Sequence, residues 1–219
     1  MSNSKSTLLI VGTGNVGRAL AKRFARTPHE VILGSRDHKT GQLAADALGV
    51  RGGAATSFVS DADVIFLAVP FVNLSETLDR LGDITGKILV DCTNPLTPDY
   101  MQLTIGHTCS AGETCQKLAP NSKVVKAFNA IFAEVVSAEF SYGNITPQVF
   151  LAGDDADAKQ RVAVLVRQIG YDAIDAGGIT CARYLEPLAE LLIQLAYAQG
   201  RGTVITPVFL APSIPALND

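Results

Sequence analysis

Apolar residues in this chain come in short blocks, and helical spacing fills the intervals between them. Thr7 to Val11 is an unbroken apolar run stopped by a glycine, which reads as a buried parallel strand. Glu30–Gly34, Asp63–Val69 (halted by Pro70), Lys87–Asp91 and Lys123–Ala127 repeat the pattern, with Gln148–Ala152 and Asp172–Asp175 as further candidates. Val16, Leu20 and Phe24 lie four apart, so the first interval predicts a helix with one apolar face. Gln42–Leu48 predicts a second helix. Ser110 with Glu113 forms a capping box for a third, and Asp154 opens another that runs to about Ile169. The last helical pattern, Thr180 to Tyr197, carries the stripe Leu185, Leu188, Leu192 and Leu195, with Pro187 in a first turn or at a kink. It leads to no further strand, which predicts an appended element on the sheet's C-terminal edge or on a second subunit. Strands alternating with helices predict an α/β protein: a doubly wound parallel sheet of Rossmann type with a small helical C-terminal lobe.

The first strand and helix are joined by Gly12-Thr13-Gly14-Asn15-Val16-Gly17, a G-x-G-x-x-G turn. In that setting the motif predicts a dinucleotide site. Gly12 allows the tight turn, Gly14 lets the pyrophosphate approach bare backbone, and Gly17 lets the helix pack on the strand. The free N–H groups of the first helical turn bind the anion. The chain then divides into a nucleotide-binding part, residues 1–145, and a smaller lobe, residues 146–219, that completes the sheet and the cleft.

The second strand ends Leu33-Gly34-Ser35-Arg36, where an NAD site usually carries an acid for the ribose 2′-hydroxyl. With Gly34 and Ser35 in the acid's place, the expected cofactor is NADP. Ser35 would donate to a 2′-phosphate, and Arg36 would pair with it and cover the adenine. Asp37 is either a ribose acid, a solvated charge or a partner for Arg36, and Arg36 itself also reads as a plain surface charge.

Composition removes other classes. The 219 residues carry a net charge of −3, which gives no basic surface for nucleic acid. No apolar run is long enough to span a bilayer, and the short run from Leu8 to Val11 is no signal-peptide core. A cytoplasmic protein with reduced thiols is expected. Cys92, Cys109, Cys115 and Cys181 form no C-x-x-C pair, and His29, His38 and His107 are isolated, so no metal site is expected. The proline-bearing tail from Thr206, with Pro207, Pro212 and Pro215, reads as irregular.

The remaining strand ends supply the rest of the site: Val69-Pro70-Phe71, Cys92-Thr93-Asn94-Pro95, Ala127-Phe128-Asn129-Ala130 and Asp175-Ala176-Gly177-Gly178. Asn94 and Asn129 reach a ribose or carboxamide, or merely form turns. Phe128 stacks on a ring or packs in the core. Gly177 and Gly178 are expected at the cleft. No His–carboxylate pair and no Lys at a strand end presents a general acid, so no residue is assigned as catalytic. Carbonyl reduction needs such a donor, whereas hydride transfer between conjugated rings needs mainly positioning and exclusion of water.

These segments resemble the NADP oxidoreductases that reduce the 5-deazaflavin coenzyme F420. The matches are GTGNVGRALA (Gly12–Ala21), HEVILGSR (His29–Arg36), VVKAFNAI (Val124–Ile131), GDD (Gly153–Asp155) and DAGGITCARYLEPL (Asp175–Leu188). The similarity extends to the reductase domains of membrane-bound ferric reductases. The resemblance implies that Thr13, Gly14, Asn15, Val16, Ser35 and Arg36 hold NADP and that Ala127–Asn129 line the nicotinamide end. It also implies a last helix and tail that form a small lobe over the hydride-transfer cleft. Two departures touch the second substrate: a short connection between the second and third strands, and a long proline-rich tail after Gly202. The expected activity is hydride transfer between NADPH and a deazaflavin or flavin, in a homodimer joined through the leucine-rich helix. A small imine or carbonyl reductase of the pyrroline-carboxylate type and a non-catalytic NADPH sensor are the alternatives.

Overall fold

A computed structural model describes residues 5–138 and 140–210. Pro212 and Pro215 lie outside the described residues. Eight strands form one sheet in the order β3-β2-β1-β4-β5-β6-β7-β8. They are β1 (Thr7–Val11), β2 (Glu30–Ser35), β3 (Arg51–Ala54), β4 (Val64–Leu67), β5 (Ile88–Asp91), β6 (Lys123–Lys126), β7 (Gln148–Ala152) and β8 (Asp172–Gly177). Their continuous apolar character follows from burial on both faces. Leu8, Ile10, Val64 and Phe66 enter one core, while Leu9, Val11, Ile65 and Leu67 enter the other. The first core is closed by α1 (Asn15–Phe24), α5 (Ala133–Ser137) and α6 (Ala156–Gln168). The second is closed by α3 (Leu74–Leu81) and α4 (Ala111–Leu118).

The chain moves outward from β1 in both directions, through β2–β3 on one side and β4–β6 on the other. That reversal opens a crevice at the C-terminal ends of the central strands, the usual ligand position in such sheets.

Several expectations are corrected. The sheet is parallel except where β7 runs antiparallel to β6, with Lys126 opposite Ala152. β3 carries no apolar pattern, because it is an edge strand with two glycines. A Cβ at Gly52 would stand 2.3 Å from the Cβ of Ala45, and one at Gly41 would stand 2.0 Å from the Gly53 carbonyl oxygen. Bare backbone is what lets α2 lie on β3. That helix, α2 (His38–Asp46), begins four residues before the expected start. Asp37 is its N-cap and accepts from the Thr40 N–H at 2.8 Å, and that bond holds the Asp37 carboxyl below the usual range. The cap of α6 is Asp155, not Asp154. Asp154 accepts instead from the Ile179 N–H at 2.9 Å.

The last helix is α-helical only over Ala182–Ile193 (α7), entered by a 3₁₀ turn and followed by a π-helical turn, Gln194–Ala198. Pro187 falls inside it. Of the leucine stripe, Leu185 packs on Phe150 and Ala152, and Leu192 packs with Ala130 and Ala189. The buried face therefore belongs to its own chain, and the expected apolar stripe also contains Glu186, 1% exposed. No described helix is long and apolar enough to cross a membrane.

Phe24 is fully buried with its ring 5.3 Å from that of Phe66, so it ties α1 to β4. Phe24→Ala should cost about 3–5 kcal/mol, read by urea unfolding. A loss below about 1 kcal/mol would show that the site collapses around the missing ring.

Candidate functional site: a cleft on both sides of a glycine turn

At the head of β1 the backbone has no room for side chains. Gly12 has φ +120°, and a Cβ there would lie 2.2 Å from the Ala68 carbonyl oxygen after β4. A Cβ at Gly17 would lie 1.8 Å from the Gly12 carbonyl oxygen. Gly14 is different: nothing stands within 4 Å of its added Cβ. It is the N-cap of α1, with no side-chain cap and no acid in the first turn. The helix start is thus left open to an external anion, which the N–H groups and the helix dipole favour.

The turn separates two cavities. The larger, about 550 Å³, is lined by Gly12, Thr13, Ser35, Arg36, Val69 and Pro70, together with Asp37, Thr40, Thr56, Asn73, Glu76, Thr77 and Arg80. The smaller, about 200 Å³, is lined by Asn15, Val16, Asn94, Phe128 and Asn129, together with Cys92, Phe132, Glu134, Leu192, Ile193 and Tyr197. Most residues expected from sequence therefore meet at one cleft. Ala127 does not: it is fully buried and lines neither cavity. Gly177 ends the outer strand β8, Gly178 follows it, and both line neither, which corrects their expected place at the cleft. Their surroundings are Cys181 Sγ and Asp154 Oδ1, at 3.1 and 2.9 Å from added Cβ atoms.

In the larger cavity Arg36 is exposed. The Ser35 hydroxyl donates its proton to the Asp37 carbonyl at 2.8 Å, so it shapes the turn. Donation to a phosphate would require that bond to give way. Asp37, engaged in capping, leaves Arg36 free of a carboxylate clamp. Across the cavity Arg80 pairs with Glu76 at 2.9 Å, one helical turn apart on α3. The pair carries no distinctive signal in the sequence, because its i,i+4 spacing also suits any solvated helix.

In the smaller cavity the two asparagines clasp each other. Asn94 Nδ2 donates to the Asn129 carbonyl at 2.8 Å, and Asn129 Nδ2 donates to Asn94 Oδ1 at 3.0 Å and to the Leu185 carbonyl at 2.9 Å. Phe128 packs in the core against Phe66, with ring centroids 6.1 Å apart, and is only 3% exposed. Its backbone has φ +61°, a conformation that costs a non-glycine residue about 1–3 kcal/mol. Cys92 touches the cavity, and burial pushes its thiol far up, so it stays protonated. Phe132 and Tyr197 stand edge to face at 6.3 Å on the outer wall.

Behind this cavity is a group the sequence reading denied. Lys126 ends β6 and is 0% exposed. Its Nζ lies 2.9 Å from Asp91 Oδ2 and 2.9 Å from Glu186 Oε1, and it also donates to the Thr93 carbonyl. Burial alone would lower this ammonium, but the two carboxylates outweigh it and hold Lys126 above its ordinary value. The charged form is thus favoured, and the ammonium is sealed from water. The signal was the Lys within an apolar strand, a residue type almost never buried unless paired.

Residues 7–95 match the family model for NADP oxidoreductase, coenzyme F420-dependent. The chain is 33% identical over 207 residues to the F420-dependent NADP reductase of Methanothermobacter thermautotrophicus, covering 85% of this chain and 87% of that one. It is 34% identical over 188 residues to the metalloreductase STEAP3 of Rattus norvegicus, covering 84% of this chain and 36% of that one, so it spans about a third of that relative. A putative F420-dependent NADP-reductase from Arthrobacter sp. FB24 superimposes with TM-score 0.81 at 33% identity, covering 90% of this chain and 96% of that one.

The two glycines separate folding from binding. Gly14→Ala should leave stability within about 1 kcal/mol yet weaken NADPH at least about tenfold, by placing a methyl where the pyrophosphate approaches. Gly17→Ala should lower both stability and binding. Unchanged NADPH affinity in Gly14→Ala, measured by fluorescence titration, would remove the turn from the site.

Proposed function

The chain belongs to the family of coenzyme F420-dependent NADP oxidoreductases, and from that premise we propose that it moves hydride between NADP(H) and the planar ring of a deazaflavin or flavin. The carrying observation is the pair of cavities on either side of one uncapped glycine turn. The larger suits an adenosine phosphate and the smaller a pair of rings. NADP(H), when bound, supplies the hydride. The open N–H groups at Gly14–Val16 would hold its pyrophosphate, and Arg36 and Thr40 its 2′-phosphate. Val69 and Pro70 form a rim above it. Phe132, Leu192 and Tyr197 exclude water from the smaller cavity, while Asn94 and Asn129 fix its polar floor.

Charge separates this reading from an imino-acid reductase. Among the described residues no Lys, Arg or His lines the smaller cavity. A carboxylate drawn in there would lose its water and gain no cation, a large cost. A ring with no carboxylate of its own meets no such penalty. The single acid present, Glu134, is exposed, and the buried Cys92 thiol holds its proton. That fits a transfer needing position more than acid–base help.

We also assign the cofactor to residues 1–145 and the closing of the cleft to residues 146–219, in a cytoplasmic homodimer. The outward face of α7 and of the π-helical turn after it supports the dimer, since Tyr184 and Leu191 on the helix and Tyr197 on the turn are exposed. Sedimentation at micromolar concentration should give twice the chain mass, and a monomer would remove the dimer.

NADPH oxidation should proceed with deazaflavin or with FMN or FAD, and not with pyrroline-carboxylate. Turnover with the imino acid alone would overturn the ring-to-ring reading, and tight NADPH binding with no turnover would favour a sensor. Arg36→Ala should weaken NADPH by roughly ten- to hundredfold and leave NADH nearly unchanged. Equal weakening of both would place the 2′-phosphate elsewhere.

A further inference from the structure

Three charged side chains, Asp91, Lys126 and Glu186, meet out of contact with water behind the smaller cavity. Such clusters add little stability over a well-packed neutral core of the same shape. What distinguishes this one is the chain it grips. Lys126 bonds to Asp91 and to the Thr93 carbonyl, and Asn94 is the next residue. It is itself three residues before Asn129. It bonds to Glu186, which follows Leu185, and Leu185 supplies the carbonyl that receives the Asn129 amide. Each backbone segment in the asparagine clasp is therefore also a segment held by the triad, one to three residues away.

Two details strengthen the link. Between Lys126 and Asn129 lies Phe128, with φ +61°. Strained backbone persists only where its surroundings over-determine it, and the ionic contact on one side and the clasp on the other provide that. Glu186 also accepts from the Ala111 and Gly112 N–H groups at 2.9 and 3.1 Å, so its carboxylate cannot swing away without uncapping α4. Nearby, Arg183 grips Glu113 through two bonds of 2.9 and 2.6 Å, fixing α7 to α4 a second time.

We propose that the buried Asp91–Lys126–Glu186 triad is a positioning device, which sets the Asn94–Asn129 amide pair at the floor of the smaller cavity by holding β5, β6 and α7 in one arrangement. Its effect on catalysis rests on the reading that hydride moves in this cavity; its effect on the clasp does not.

The test uses the neutral triple variant Asp91→Asn/Lys126→Met/Glu186→Gln and the single variant Glu186→Gln. The asparagine keeps an acceptor for the Thr93 N–H, which Asp91 receives at 2.9 Å, and the glutamine keeps one of the two oxygens that receive the Ala111 and Gly112 N–H groups. Hydrogen exchange of the Asn129 side-chain amide is followed by NMR in the ligand-free protein. It should quicken at least about tenfold in the triple variant and about threefold in Glu186→Gln, as a local opening becomes easier. NADPH affinity, set mainly at the other cavity, should change less than about threefold. With an acceptor ring, Asn94→Ala should slow single-turnover hydride transfer by about tenfold in the parent but less than about twofold in the triple variant, because the clasp is already lost there. Exchange within twofold of the parent in a folded triple variant would overturn the proposal, and if that variant does not fold, the same result in Glu186→Gln would. If the parent reduces no ring acceptor, the functional reading falls alone, and the exchange rates still decide the triad's role.

Discussion

The molecule is built around a place where no side chain fits. At the head of β1 the Gly12 backbone, the Ala68 carbonyl after β4 and the first turn of α1 come so close that Cβ atoms at positions 12 and 17 would lie 2.2 and 1.8 Å from carbonyl oxygens. Those contacts fix how α1 leaves the sheet. They also fix where its uncapped N-terminus points, which is into the crevice opened by the reversal of strand order. Both cavities are defined relative to that helix end. The first core could not close in the same way if the turn were wider, because Phe24 reaches Phe66 from the helix so placed.

The two halves of the cleft differ in electrostatics in a way that suits different ligands. Arg36 and Arg80 face the larger half, where solvent is near and a phosphate is easily accommodated. Among the described residues the smaller half has no cation on its walls and one exposed acid, Glu134, with the sealed triad behind it. The triad sets two carboxylates against one ammonium, and the Ala111 and Gly112 N–H groups at the start of α4 take up the Glu186 carboxylate as well.

The C-terminal helix links these features. Its inward face carries leucines that any amphipathic helix would have, and one glutamate that serves at once as an ion partner and as the acceptor for the first two N–H groups of α4. Its π-helical end presents Tyr197 to the outer wall of the smaller cavity. One element thereby ties α4 to the end of the sheet and shapes the smaller cavity.

The sequence by itself determined the strands of the central sheet, the G-x-G-x-x-G turn and the acid-free end of β2, because each is a local pattern: apolar runs buried on both faces, glycines at fixed offsets, a residue type at a strand end. It did not determine β3, whose two glycines carry no pattern and make sense only against Gly41 and Ala45 of α2. It did not give the reversal of β7, since an apolar run has no direction until its neighbour is known. Nor did it show that the Asp37 carboxylate caps a helix, that Ala127 is sealed while Asn129 reaches the cleft, or that the walls of the smaller cavity come partly from α7. The Lys126 triad is the clearest case. Its three members are separated by 35 and 60 positions in the chain, and Lys126 in an apolar strand was visible without its partners. Only the tertiary fold decided that two carboxylates from distant elements would meet it, because the energy of a buried charge depends on what lies within a few ångströms of it and not on what precedes it in sequence.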